Sequence, residues 1–207
     1  MNIYAFSGLG ADERVFQNLH IRDKIIPVPW IQPQSKESIK SYADRISKNI
    51  NTEQPFGILG VSFGGLIAVE VSKLTRPNHT ILISSAETTT ELRPLYSWVG
   101  KTRILNTLPA AFFIPPPWLA SRLFGAVNKQ LLKEILHDTD PHFAKWACHA
   151  LCTWTNKTPI PNCIKISGDK DLLIPPGKNA ILVRGGGHFM VVDRAGEVSE
   201  IIRNSLS

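Results

Sequence analysis

At 207 residues, with 43% hydrophobic and 19% charged residues, the chain has room for one domain with a substantial core and none of the compositional bias of a disordered or collagenous protein. Lys and Arg total 23 against 17 Asp and Glu, a net charge of +6, but the cations are scattered among acids with no basic block or aromatic-interleaved stripe, which argues against nucleic-acid binding. Three cysteines, Cys148, Cys152 and Cys163, are an odd number without a framework spacing, which argues against a disulfide-stapled secreted protein and suits the cytoplasm. Along the chain, strand-like and helix-like segments alternate. Ile3 to Ser7 reads as a strand, followed by a helix after Asp12, a strand from Ile25 to Val28, and a helix from about Ser38 to Ile50. In that helix Ile39, Tyr42, Ala43, Ile46 and Ile50 recur at three- and four-residue intervals and form one stripe to lie on a sheet. Phe56 to Val61 is the next strand, then a helix, then a strand from His79 to Ser84. The next comparable strands are Cys163 to Ser167 and Ala180 to Arg184, with an amphipathic helix after Asp193. Repeated strand and helix alternation of this kind predicts a parallel sheet covered by helices.

Between the strands at 79–84 and 163–167 lies a long helical insertion. Leu131, Leu132, Ile135 and Leu136 form one amphipathic group in it, and Phe143, Trp146, Ala147, Ala150, Leu151 and Trp154 another, with Pro115 to Pro117 as punctuation. The expected organisation is a core from residues 1–86 and 162–207 with a helical cap from 87–161. The opening Met1 to Phe6 has no basic n-region and is not read as a signal peptide; the longest apolar stretch, near Ala110 to Ala120, is broken by prolines and too short to span a bilayer.

The feature most informative of function is Gly60-Val61-Ser62-Phe63-Gly64, a Gly-x-Ser-x-Gly pentapeptide between an apolar strand and a helix. A serine hydroxyl is a weak nucleophile at neutral pH, so it must be raised on a tight strand-to-helix turn and aimed at a base. Glycine on both sides lets helix and strand approach closely, and Ser62 is the candidate nucleophile. A base and an orienting acid belong on other loops at the carboxyl ends of strands. Ser167-Gly168-Asp169-Lys170-Asp171 follows one such strand and Gly185-Gly186-Gly187-His188-Phe189 the next. Of six histidines only His188 sits in a glycine-rich loop after a strand. Three other motifs fail. Gly8-Leu9-Gly10 has Glu13 where a dinucleotide loop needs its third glycine, and Gly100-Lys101-Thr102 has Leu95 where a phosphate loop needs glycine. Cys148 and Cys152 are one helical turn apart, but the neighbours Cys148 and His149 diverge around a helix, so no metal is expected.

With its nucleophile elbow, acid loop and histidine loop in the order Ser, Asp, His, the chain resembles a compact bacterial α/β-hydrolase over essentially its whole length. That resemblance implies a reduced α/β-hydrolase fold of about six parallel strands with a helical cap. It implies a Ser62, Asp171, His188 triad, Asp171 satisfying the Gly-x-x-Asp arrangement from Gly168, with Asp169 as the second candidate acid and Glu87 as the third. It also implies an oxyanion hole from the backbone N–H groups of Leu9 and Phe63, although Ser7-Gly8 stands where many relatives have His-Gly. No cofactor is implied. The expected substrate is an ester of a small or medium hydrophobic acid, with Trp98, Phe112, Phe113, Trp118, Phe124, Trp146 and Trp154 as either a pocket wall or the cap's own core. The alternatives are an acyl thioester on coenzyme A or a carrier protein, which the positive charge favours, and a catalytically inactive binding module of the same fold. Oligomeric state is not legible in the sequence.

Overall fold

The computed structural model describes residues 1–102 and 104–206. Six strands form one parallel sheet: β1 (Asn2–Phe6), β2 (Lys24–Pro27), β3 (Phe56–Val61), β4 (His79–Ile83), β5 (Cys163–Gly168) and β6 (Ile181–Val183), in the spatial order β2-β1-β3-β4-β5-β6. The chain starts one strand in from an edge, steps out to that edge, returns past its start and runs to the other edge. The reversal leaves a crevice at the carboxyl ends of β1 and β3, where ligands gather in open α/β sheets.

Alternation along each strand divides the core in two. Tyr4 and Phe6 of β1, Ile58 of β3 and Leu82 of β4 face one side; Ile3 and Ala5, Leu59 and Val61, and Ile81 and Ile83 face the other. The first side is covered by α1 (Ile39–Ser47) and α2 (Phe63–Thr75). α1 begins at Ser38, whose hydroxyl accepts the Ser41 N–H, and it buries Ile39, Tyr42, Ala43 and Ile46, the stripe expected from its spacing. The helix expected after Asp12 is only a four-residue 3-10 turn, Glu13–Phe16. Only Val15 and Phe16 are buried there, too little apolar surface to fix a longer helix.

Among the described residues, five α-helices lie between β4 and β5: α3 (Pro94–Lys101), α4 (Ile104–Thr107), α5 (Pro117–Phe124), α6 (Lys129–Asp138) and α7 (Pro141–Thr153). Buried side chains of α5, α6 and α7 join the two cores of the sheet. Phe143, Ala147, Ala150 and the following Trp154 enter the first, and Ala120, Leu132 and Ile135 the second. The second side is completed by α8 (Met190–Asp193) and α9 (Ala195–Ser205), the latter burying Val198 and Ile202. Among the described residues no helix is long and apolar enough to cross a membrane.

Candidate active site

Ser62 links β3 directly to α2 with φ 53° and ψ −122°, a left-handed backbone that a side-chain-bearing residue adopts at a cost of about 1–3 kcal/mol. Close packing holds it there. A Cβ added to Gly64 would lie 2.0 Å from the Ser7 carbonyl oxygen, so only glycine lets α2 sit this near the end of β1. Ser85, just beyond β4, donates its hydroxyl to the Ser62 carbonyl oxygen at 2.7 Å and clamps the turn from the opposite side. Sequence reading missed Ser85, because its only signal is position in a loop beside the elbow strand.

The His188 ring joins two of the candidate residues. Its Nε2 lies 2.7 Å from Ser62 Oγ and its Nδ1 2.7 Å from Asp171 Oδ2. His188 is 3% exposed. The other carboxylate oxygen, Asp171 Oδ1, accepts the N–H groups of Leu173 and Ile174, both at 2.9 Å, so the carboxyl cannot swing away from the imidazole without breaking two bonds. Phe124 packs edge-on against the imidazole, with ring centroids 5.4 Å apart.

Asp169 and Glu87 are engaged elsewhere. Asp169 Oδ1 accepts the Gly185 N–H at 2.7 Å and ties the loop after β5 to the loop after β6. Glu87 is buried, accepting the Ile160 N–H at 2.8 Å and pairing with Lys165, which also pairs with Glu91. Neither is hydrogen-bonded to the imidazole of His188.

Phe63 opens α2, and its N–H is among the four that a helix leaves without an intrahelical acceptor. Its ring is fixed among Trp30, Phe143 and Trp146. Leu9 shares a pocket wall with Phe63 and Ser62. The loop carrying Leu9 turns sharply: Ser7 donates its hydroxyl to the Ala11 carbonyl at 2.7 Å, and Gly10 has φ +68°. The insertion grips this loop. Thr139 Oγ1 lies 2.9 Å from the Gly10 carbonyl oxygen and 2.7 Å from that of Ile135, while a Cβ on Gly10 would meet the Thr139 methyl at 2.4 Å. One residue earlier, Asp138 shares Arg14 with Asp12, and one residue later Asp140 accepts from Gln32. The Arg14 hydrogen bonds hold the Asp12 carboxyl below the usual carboxylate range. Thr139 carried no signal in the sequence, since its partner lies 129 residues away.

Ser62 and His188 open into a pocket of about 260 Å³, walled mainly by apolar side chains including Tyr96, Phe113, Ile114, Leu132, Leu151 and Ile174. Of the seven aromatic residues expected as a wall or a cap core, Phe113 and Phe124 line this pocket. Trp146 and Trp154 pack into the first core, and Trp98, Phe112 and Trp118 are exposed. Cys148 also reaches the pocket; burial pushes its thiol up to about 12, and burial raises Cys152 to about 11, so both are protonated at neutral pH. Among the described residues no group of three or more His, Cys, Asp or Glu could hold a metal ion.

Solved structures share the arrangement of strands and helices. An esterase from Thermogutta terrifontis matches 100% of this chain and 89% of its own, with a TM-score of 0.75 at 14% identity. The chain has the α/β-hydrolase fold. A lipase-esterase related protein from Clostridium acetobutylicum matches 98% of the chain and 93% of its own, with a TM-score of 0.70 at 18% identity. An enol-lactonase from Burkholderia xenovorans matches 99% and 90%, with a TM-score of 0.70 at 16% identity. No family model and no curated protein matches the sequence. Within the α/β-hydrolase fold this chain has the reduced, six-stranded form.

Proposed function

We propose that the protein is a serine hydrolase that cleaves esters of small or medium hydrophobic acids through an acyl-enzyme. The observation that carries this reading is the His188 imidazole held between Ser62 and Asp171 at 2.7 Å on each side, at the wall of an apolar pocket. His188 Nε2 takes the proton of Ser62 Oγ as the oxygen attacks the ester carbonyl. The N–H groups of Leu9 and Phe63 stabilise the oxyanion, and Asp171 holds the imidazole tautomer and the imidazolium that forms. The proton then passes to the leaving alcohol. Water, activated by the same imidazole, attacks the acyl-enzyme and releases the acid and Ser62. Every proton moves through His188 Nε2.

The pocket of about 260 Å³ lies just below the ~300–1,000 Å³ of drug-sized sites, which supports a short or medium acyl group. The similar structures described as an esterase and an enol-lactonase support carbonyl-oxygen bond cleavage as the reaction class. Three free cysteines support work in a reducing compartment, the cytoplasm.

Labelling by a fluorophosphonate, followed by turnover of a panel of activated esters and acyl thioesters, tests the reading. Ser62→Ala is expected to abolish labelling, and Ser62→Ala and His188→Ala each to lower ester turnover by at least about 10³-fold, with the double variant hardly worse than either. Near-normal turnover by Ser62→Ala would end the proposal. A wild-type protein that neither labels nor turns over would favour a binding module, and preference for thioesters would shift the substrate class.

A further inference from the structure

Six large apolar side chains stand out into solvent from one stretch of the chain. Leu95, Trp98, Ile104, Phe112, Trp118 and Val127 are each more than half exposed, Trp98, Phe112 and Trp118 by 64%, 72% and 71%. Water penalises such exposure, and a concentration of it marks a surface that is covered in use. The elements that carry these groups are also walls of the pocket. α3 turns Tyr96 into the pocket and Leu95 and Trp98 outward. The segment before α5 turns Phe113 and Ile114 inward and Phe112 outward, and α5 itself turns Leu123 and Phe124 inward and Trp118 outward. α3, α4 and the turn at Ala110–Phe113 all pack on α7, and α5 packs on α6.

The charge in this stretch is not mixed as it is elsewhere. Residues 92–133 contain six Lys or Arg and no Asp or Glu. Arg93, Lys101, Arg122, Lys129 and Lys133 are exposed, and none is ion-paired to a described residue. Each exposed tryptophan has a cation one helical turn beyond it, Lys101 three residues after Trp98 and Arg122 four after Trp118.

We propose that the outward sides of these pocket-walling elements adsorb to an anionic lipid surface and present the pocket to acyl groups held there. Indole and phenyl rings gain by entering the boundary between headgroups and acyl chains, and neighbouring Lys and Arg gain at the headgroup level beside anionic phosphates. Each cation near such a surface strengthens adsorption by about 1 kcal/mol, roughly fivefold. A lipid surface also accepts rings projecting from several separate elements without needing a complementary shape, whereas a folded protein partner would have to match each of them. Adsorption itself is independent of the hydrolase reading; only its use in supplying substrate rests on that reading.

The test uses Ser62→Ala protein, so that its outcome stands apart from catalysis, with vesicles of phosphatidylcholine alone or mixed with phosphatidylglycerol. Sedimentation and tryptophan emission report binding. The expected result is adsorption to the phosphatidylglycerol vesicles with blue-shifted emission, weakened by salt, and little adsorption to phosphatidylcholine. Replacing Trp98, Phe112 and Trp118 together by Ala should lower partitioning at least tenfold, and Lys101→Glu with Arg122→Glu should remove the preference for the anionic lipid. Because these side chains project into solvent, both variants should keep the parent's far-UV circular dichroism. In a Ser62 background they should also keep its turnover of a water-soluble ester. Failure to bind phosphatidylglycerol vesicles would overturn the proposal, as would equal binding by the folded aromatic variant. Affinity for an acidic acyl carrier protein in the absence of vesicle binding would reassign the face to a protein partner.

Discussion

Asp169 and Asp171 lie two residues apart on one loop, yet their surroundings divide their roles. Asp171 has one oxygen on the His188 imidazole and the other on two backbone N–H groups; Asp169 reaches only the Gly185 N–H. A carboxylate that accepts a hydrogen bond from the imidazole Nδ1–H fixes its tautomer, and an amide in its place can present a donor to a donor. Asp171→Asn is therefore expected to lower kcat by about 10⁴-fold, while Asp169→Asn should cost on the order of 1 kcal/mol of stability and leave turnover largely intact. Steady-state kinetics and thermal unfolding of the two variants separate these outcomes, and a crippled Asp169→Asn beside an active Asp171→Asn would reverse the assignment. Glu87 becomes the next candidate if both stay active, although its contacts with Ile160 and Lys165 describe a buried brace at the junction with β5.

The elements explain which features were legible beforehand. β1, β3, β4 and β5 fall within a residue of their expected bounds because an apolar run buried on both faces is a strong local signal. Ser62, Asp171 and His188 could be singled out because each follows a strand-like run next to glycine, although β6, ahead of His188, is a half-exposed edge strand. Thr139 could not. It ends α6, and its importance comes from a meeting with Gly10 that only the folded chain creates. The aromatic residues of the insertion were ambiguous for a related reason: composition marks a ring as apolar but does not say which way its helix turns it. Thr139 sits at the point where the insertion holds the loop bearing Leu9, so it is expected to position the proposed oxyanion donor. Thr139→Val keeps the shape and loses the hydroxyl, and should lower kcat roughly 10- to 100-fold with little change in KM, while Thr139→Ser should retain most of the activity. A change in KM alone, or an equal loss in Thr139→Ser, would limit the residue to a structural role.

At the scale of the whole molecule, α5, α6 and α7 belong to the same cores as the sheet. Phe143 is 5% exposed and packs against Trp30, Tyr42 and Phe63, which come from the loop after β2, α1 and the start of α2. Trp154 donates its indole N–H to Glu70 in the middle of α2 at 2.7 Å, and Asp193 of α8 accepts the N–H groups of Val127 and Asn128. A cap that only rested on the sheet could loosen first on unfolding, whereas helices that fill the sheet's own core cannot leave without exposing it. Phe143→Ala removes a ring shared by four elements and should cost about 3–5 kcal/mol. Urea unfolding should remain a single transition, shifted as a whole, with tryptophan emission and far-UV circular dichroism coincident in wild type and variant. Two separated transitions in either protein would mean that the insertion folds as a unit of its own, and that the grip of Thr139 on the Gly10 loop and of Phe143 on Phe63 can be released while the sheet stays intact.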